Sequence, residues 1–205
     1  MALTDISFKL FTDGTLSTLF VDPLQLVHNS DFSDNPQDTQ FFLGSTVASR
    51  KIEATSNPGV DNITLTPTVL RAEWMATTAY ALGASIEPTT PNGFRYEATT
   101  AGTSGGSEPT FPTAAIGDTV ADGTVVWTLV SAAHPITEIK LATTQGGLTA
   151  ATPGAALNVG TQVLSLAANK FEFWIRITNT VSDPSDTLGF PGIGVNINEI
   201  VETAV

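Results

Sequence analysis

Few side chains in this sequence have the types and spacing that chemistry needs, and each such group also has a structural reading. Gly102-Thr103-Ser104-Gly105-Gly106 surrounds a serine with glycines, as the loop of a serine nucleophile does, and His134 lies downstream as a base. Triads occur in any chain order, but Thr103 precedes the serine and no carboxylate is adjacent. The reading expected here is a Gly/Ser loop and an exposed histidine beside Pro135. Asp31, Asp34 and Asp38 could offer hard oxygen ligands to calcium. Their spacing lacks the glycine and the terminal glutamate of a helical calcium loop, and Asp, Ser and Asn before Pro36 also cap turns. Capped turns and no metal are expected there. Glu73, Glu87, Glu97 and Glu108 could supply the carboxylate pair of a glycoside hydrolase, which is defined by separation in space. Their spacing selects no pair. No glycine loop combines with a lysine to cradle phosphate, and the absence of cysteine removes thiol nucleophiles, thiolate zinc sites and disulfides. No catalytic residue and no cofactor is assigned, and the chain reads as a non-enzyme.

Aromatic side chains give the binding candidates. Trp74, Tyr80, Phe94, Tyr96, Phe111 and Trp127 crowd one stretch. Flat rings on a rigid β surface can stack on sugars or anchor a protein partner at small entropic cost. A small module also needs aromatics for its own core. The expectation is that most serve the core and one or two remain for a ligand or partner.

The elements that must position these residues read as strands. Period-two or β-branched runs occur at 6–11, 24–27, 61–66, 124–130, 138–141, 171–178 and 194–201. In the clearest, Phe171, Phe173, Ile175 and Ile177 fall on one face and Glu172, Trp174, Arg176 and Thr178 on the other. Asp13-Gly14, Asn57-Pro58-Gly59, Pro91-Asn92-Gly93, Asp122-Gly123, Pro153-Gly154 and Pro191-Gly192 supply turns between the runs. The tract from Thr99 to Pro109 reads as an ordered loop. Helical periodicity is nearly absent. The fold class expected is all-β: a discontinuous β-sandwich of residues 1–70 and 131–205, with an aromatic-rich β-module, residues 71–130, inserted between its halves.

Charge narrows the partners. Eight basic and twenty acidic residues leave a net charge of −12. An acidic surface without a Lys/Arg patch repels phosphate, so no nucleic acid is expected. No stretch approaches the ~20 apolar residues that span a bilayer, and no membrane insertion is expected. The start, Met1-Ala2-Leu3-Thr4-Asp5, lacks a basic region followed by an apolar run. Synthesis in the cytoplasm as a soluble protein is the expectation.

One longer pattern is familiar. It begins Trp74-Met75-Ala76-Thr77-Thr78-Ala79-Tyr80-Ala81-Leu82-Gly83 and continues Pro91-Asn92-Gly93-Phe94-Arg95-Tyr96 through Gly105. It ends in Glu108-Pro109-Thr110-Phe111-Pro112 and Asp122-Gly123-Thr124-Val125-Val126-Trp127-Thr128. This stretch resembles a small β-module of tailed-bacteriophage structural proteins, including tail fibres and other virion components. Its opening, Trp then Tyr-x-x-Gly, also resembles small chitin- and cellulose-binding modules, from which the Asp-Gly-Thr-x-x-Trp-Thr ending departs. The flanking halves are similar, less specifically, to small phage virion proteins. The resemblance implies a protein made in the bacterial cytoplasm and built into the virion. Capsid decoration or cementing is the leading role, and a tail, neck, baseplate or fibre position is the alternative. The implied partners are major capsid or tail proteins and further copies of the chain as a homo-oligomer, with a host-surface glycan as an alternative ligand of the insert.

Overall fold

The computed structural model of the chain describes residues 6–21, 24, 29, 31–70, 72–181 and 193–205. The expected turn at Pro191-Gly192, and the expected strand at 24–27 beyond its first residue, lie outside the described residues. The fold is all-β and sandwich-like, with strands β1 to β17, three short 3-10 turns and no α-helix among the described residues. Cα packing divides the chain into two compact units. One takes in Met1–Thr68, Ile136–Asn179 and Gly194–Val205, the other Val69–Pro135 and Thr180–Ile193.

The first unit has a four-stranded antiparallel sheet in the order β1 (Lys9–Phe11), β2 (Gln37–Gly44), β15 (Phe171–Ile177), β12 (Ile139–Ala142). The alternation in β15 buries Phe173, which pairs in register with Phe41 of β2, their ring centroids 5.8 Å apart. Phe20 packs edge-on against Phe41 at 5.0 Å. Strand β2 carries Phe41-Phe42-Leu43, all buried. A consecutive apolar run of this kind has no period-two signature, so sequence alone did not mark it. The outer edge of β1 is closed by the turn that follows it. Phe20 N donates to Leu10 O at 2.9 Å, and Thr12 N to Thr18 O at 3.0 Å. Asp13 organises that turn, accepting from the Thr15 hydroxyl and from the backbone N–H groups of Thr15, Ser17 and Thr18. The Thr15 hydroxyl foremost, with those N–H groups, holds the Asp13 carboxyl below its ordinary range.

Two three-stranded sheets complete this unit, ordered β13 (Leu157–Gly160), β4 (Ile63–Val69), β16 (Ile193–Ile197) and β14 (Gln162–Leu164), β3 (Arg50–Ala54), β17 (Ile200–Ala204). Each row of one sheet continues along the chain into the other: β3 into β4, β13 into β14, β16 into β17. The six strands are therefore one three-stranded ribbon folded at a corner, as where strands switch sheets in sandwiches. Gly160, at φ +112°, and a register shift between Asn158 and Gly160 bend the outer row. The expected single strand at 194–201 breaks here into β16 and β17. Asn198 offers its side-chain oxygen to Thr64 N at 2.9 Å, and Thr55 N donates to Glu199 O at 2.9 Å. A side chain has replaced a backbone acceptor, and the ladder turns.

The second unit is a five-stranded sheet, β10 (Thr119–Asp122), β11 (Val125–Ala132), β8 (Phe94–Thr100), β7 (Ser85–Glu87), β5 (Ala72–Glu73), with a two-stranded ladder, β6 (Ala79–Tyr80) and β9 (Gly102–Thr103). All its pairs are antiparallel except β5 with β7. The tract read as loop from Thr99 to Pro109 is thus partly strand. Thr99 and Thr100 end β8, and Gly102 and Thr103 make β9, because Tyr80 and Ala79 pair with them.

Asp38 was expected in a loop. It sits instead in β2, directly opposite Arg176 of β15. The guanidinium donates to both carboxylate oxygens, at 2.7 and 2.8 Å, and Gln145 Nε2 adds a third contact at 3.3 Å. The Arg176 hydrogen bonds hold the Asp38 carboxyl below its ordinary value. A carboxyl lowered by folding stabilises above its unfolded pKa, about 3.9, and that contribution is lost as pH falls through the lower folded value. Asp38→Asn is therefore expected to cost about 1 kcal/mol in urea unfolding at pH 7 and progressively less on acidification below about pH 4. Equal losses at pH 7 and in strong acid would contradict the pairing.

Candidate functional site

The candidate site residues converge on one carboxylate. Asp122 is buried at the end of β10. Its Oδ2 accepts the indole N–H of Trp74 at 2.8 Å and that of Trp127 at 3.0 Å, and its Oδ1 accepts the N–H of Gly105 at 2.7 Å. Three aimed donors replace the water an ionised carboxylate loses on burial. The turn after Asp122 packs backbone to backbone on β9. Thr124 N donates to Thr103 O at 2.9 Å, and Thr103 N to the Thr124 hydroxyl at 2.8 Å. Gly123 has φ +63°, and a Cβ there would lie 2.3 Å from Thr103 O. A Cβ on Gly102 would lie 2.4 Å from the carbonyl of Thr124. Only glycine fits either place.

Around this hub the six candidate aromatics form one core. Trp74, Tyr96, Phe111 and Trp127 are buried, and Tyr80 and Phe94 pack half-buried against them. Tyr80 meets Trp127 edge-on at 4.8 Å, and Tyr96 lies 4.5 Å from Phe111. The Tyr96 hydroxyl donates to Pro112 O at 2.6 Å and accepts from Asn92 Nδ2 at 2.8 Å. Burial raises its pKa above the ordinary value, with the Asn92 contact opposing, so the phenol stays a donor. Tyr96 and Trp127 are fully enclosed, and Trp74 and Phe111 keep only a sliver of surface. Their rings fill the interior that a small unit must fill, and of the six only Tyr80 and Phe94 keep more exposure than that.

Ser104 lies in the loop after β9, as the Gly/Ser loop reading expects. Ser104 is buried, its hydroxyl donating to Met75 O at 2.6 Å and accepting from Thr78 N at 3.0 Å. That proton is committed to a carbonyl that fixes the loop. His134, expected to be exposed, is half-buried beyond the end of β11.

The glutamates divide. Register brings Glu73 and Glu87 side by side on the parallel strands β5 and β7, Glu73 exposed and Glu87 buried. Arg95, buried on β8, pairs in register with Ser131 and donates to its hydroxyl at 3.1 Å. With Ile86 opposite Tyr96, Glu87 and Arg95 are the next positions along their strands. Glu87, Arg95 and Ser131 thus form a buried polar row on the face opposite Ile86, Tyr96 and Leu129. The burial of Arg95 left no mark in the sequence. Glu108 caps Thr89, accepting from its N–H at 2.8 Å and from its hydroxyl. Glu108 also borders an open depression of about 440 Å³ with Pro88, Asn92, Pro109, Phe111 and Thr113. The Asn92 amide in that depression is already bonded to Tyr96 and, through Oδ1, to Phe94 N at 3.1 Å.

In the other unit the acidic tract is built from turns. Asp31 Oδ1 accepts Ser33 N at 3.0 Å, while Asp34 accepts Asn29 N at 3.0 Å and Gln37 Nε2 at 2.9 Å. Hydrogen bonds from Ser33 lower the Asp31 pKa. Among the described residues no group of three or more His, Cys, Asp or Glu side chains is placed to hold a metal ion.

Comparison with family models, curated proteins and solved structures gave no match to this chain.

Asp122→Ala should orphan two buried indole donors and the half-buried Gly105 N–H, and destabilise the second unit by about 3 kcal/mol or more. Tryptophan fluorescence and near-ultraviolet circular dichroism during urea unfolding would report it. A loss under about 0.5 kcal/mol, the range of ordinary surface substitutions, would contradict the hub.

Proposed function

We propose that the chain is a structural protein of a tailed-bacteriophage particle, a decoration or cement protein assembling on the capsid surface. A tail, neck, baseplate or fibre position is the alternative. One observation carries this reading. The residues of the Trp74–Thr128 pattern are those that hold one unit together: Trp74, Gly105, Asp122 and Trp127 around the carboxylate, Gly102 and Gly123 at the backbone contact, Tyr96 and Pro112 at the phenol. A pattern of that kind specifies a whole folded module, and its resemblance to the β-module of phage structural proteins supports this reading.

Other features support it. A net charge of −12 suits a position away from packaged nucleic acid. The reading gives the chain no catalytic role, and the side chains with chemical potential at Ser104, Glu108 and Asp122 hold backbone in place. On this reading the protein is made in the bacterial cytoplasm, ends in the virion, and has other virion proteins and its own copies as partners.

The test mixes the purified chain with phage capsids and, separately, with tails from a mutant lacking its gene, followed by sedimentation. Saturable co-sedimentation with capsids is expected, whereas binding to tails alone moves the protein to the alternative position. Binding to neither overturns the virion reading.

A further inference from the structure

We propose that the outer edge of β17 is a self-assembly edge, which takes a strand from a second copy of this chain by main-chain pairing. Pairing with β3 fixes which backbone groups point outward. Val205 N donates to Ser49 O at 3.1 Å, and Thr55 N to Glu199 O at 2.9 Å. Between those two bonds the register runs unbroken from Ile200 opposite Ala54 to Ala204 opposite Arg50. Antiparallel strands alternate bonded and non-bonded pairs. Residues 199, 201, 203 and 205 therefore face β3, while Ile200, Glu202 and Ala204 turn their N–H and C=O groups away. No described strand lies beyond β17.

Three other edges of the same unit are covered or interrupted. The turn at 12–20 covers β1, and Gly154 N donates to Ile139 O of β12 at 2.8 Å. A bulge interrupts β13 at Asn158 and Gly160. Strand β17 has no proline, no lysine and no bulge, the devices that keep edges from pairing.

Charge selects the occupant. Copies carrying −12 each repel at long range and can meet only where charge is sparse. From Ile193 to Ala204 the acidic residues are Glu199 and Glu202, with no basic one. The Glu202 carboxylate is already engaged, accepting Ser7 N at 2.6 Å and the Ser7 hydroxyl at 2.8 Å, with Arg50 Nε 3.8 Å away. A cationic partner would favour the acidic surface elsewhere. A second copy suits this edge, and a two-fold axis lets one strand complement itself. The inference deepens the virion reading by naming an assembly contact, and it rests on that reading only for its biological purpose.

The test measures the mass of the full-length chain by analytical ultracentrifugation over a micromolar concentration series, beside Ile200→Pro and Ala204→Pro. Both substitutions remove an outward N–H and leave the bonds to β3 intact, so melting should change little. The wild type is expected to self-associate, and each variant to weaken that association at least about tenfold, or 1.4 kcal/mol. Hydrogen exchange of the wild type supplies a readout that needs no variant: the amides of Ile200, Glu202 and Ala204 should become protected as concentration rises. A wild type that is monomeric throughout, folded variants that associate as well as it does, or amides exchanging at one rate at all concentrations would overturn the edge. If a folded proline variant associates normally and still binds particles, the edge fails while the virion reading stands.

Discussion

A carboxylate taken out of water needs donors aimed at it, and this requirement at Asp122 organises the aromatic unit. Two indole N–H groups and one backbone N–H reach it from β11, from the segment after β5, and from the loop after β9. The donors lie 5, 17 and 48 residues from Asp122 along the chain, so one carboxylate sets the relative positions of three segments. Trp74 and Trp127 are then tied at one end by a hydrogen bond, while the Trp127 ring packs with Tyr80 and Phe111 and Trp74 joins the same core. Polar satisfaction and aromatic burial, which usually compete, use the same side chains here.

This double use explains why the sequence could be read in two ways. A cluster of tryptophan and tyrosine with nearby carboxylates looks alike whether it lines a groove or fills a core. The turn Asp122-Gly123-Thr124 was legible as a turn, but nothing in its spacing disclosed that Asp122 reaches Trp74. The strands followed the same rule. Period-two alternation marked β15, β11 and β4 because each has one face buried more than the other. Strand β2 escaped because Phe41, Phe42 and Leu43 are buried in succession. The break at Asn198 was invisible because it depends on a contact with Thr64, far away in sequence. The acidic tract from Asp31 to Asp38 was legible as turns up to Asp34. Asp38 was not, since only pairing with β15 makes it a strand residue.

The other unit places different demands on its chain. Its ribbon of three bent rows leaves an outer row, β16 and β17, in which short uncharged or self-satisfied stretches stand out against an acidic whole. Low charge density there and high negative charge elsewhere act together. The first permits contact at one edge, and the second discourages it over the rest of the surface. A protein that must associate in a defined way without aggregating benefits from both. This pairing of features, together with a module whose aromatic, glycine and Asp122 residues form its scaffold, is what the proposed structural role draws on.

The most direct measurement is an electron-microscopy reconstruction of mature phage particles whose genome carries the gene for this chain. The account predicts density that fits its two β units, repeated by the symmetry of the shell or of the tail. Particles that are complete, infectious and free of this chain would contradict it.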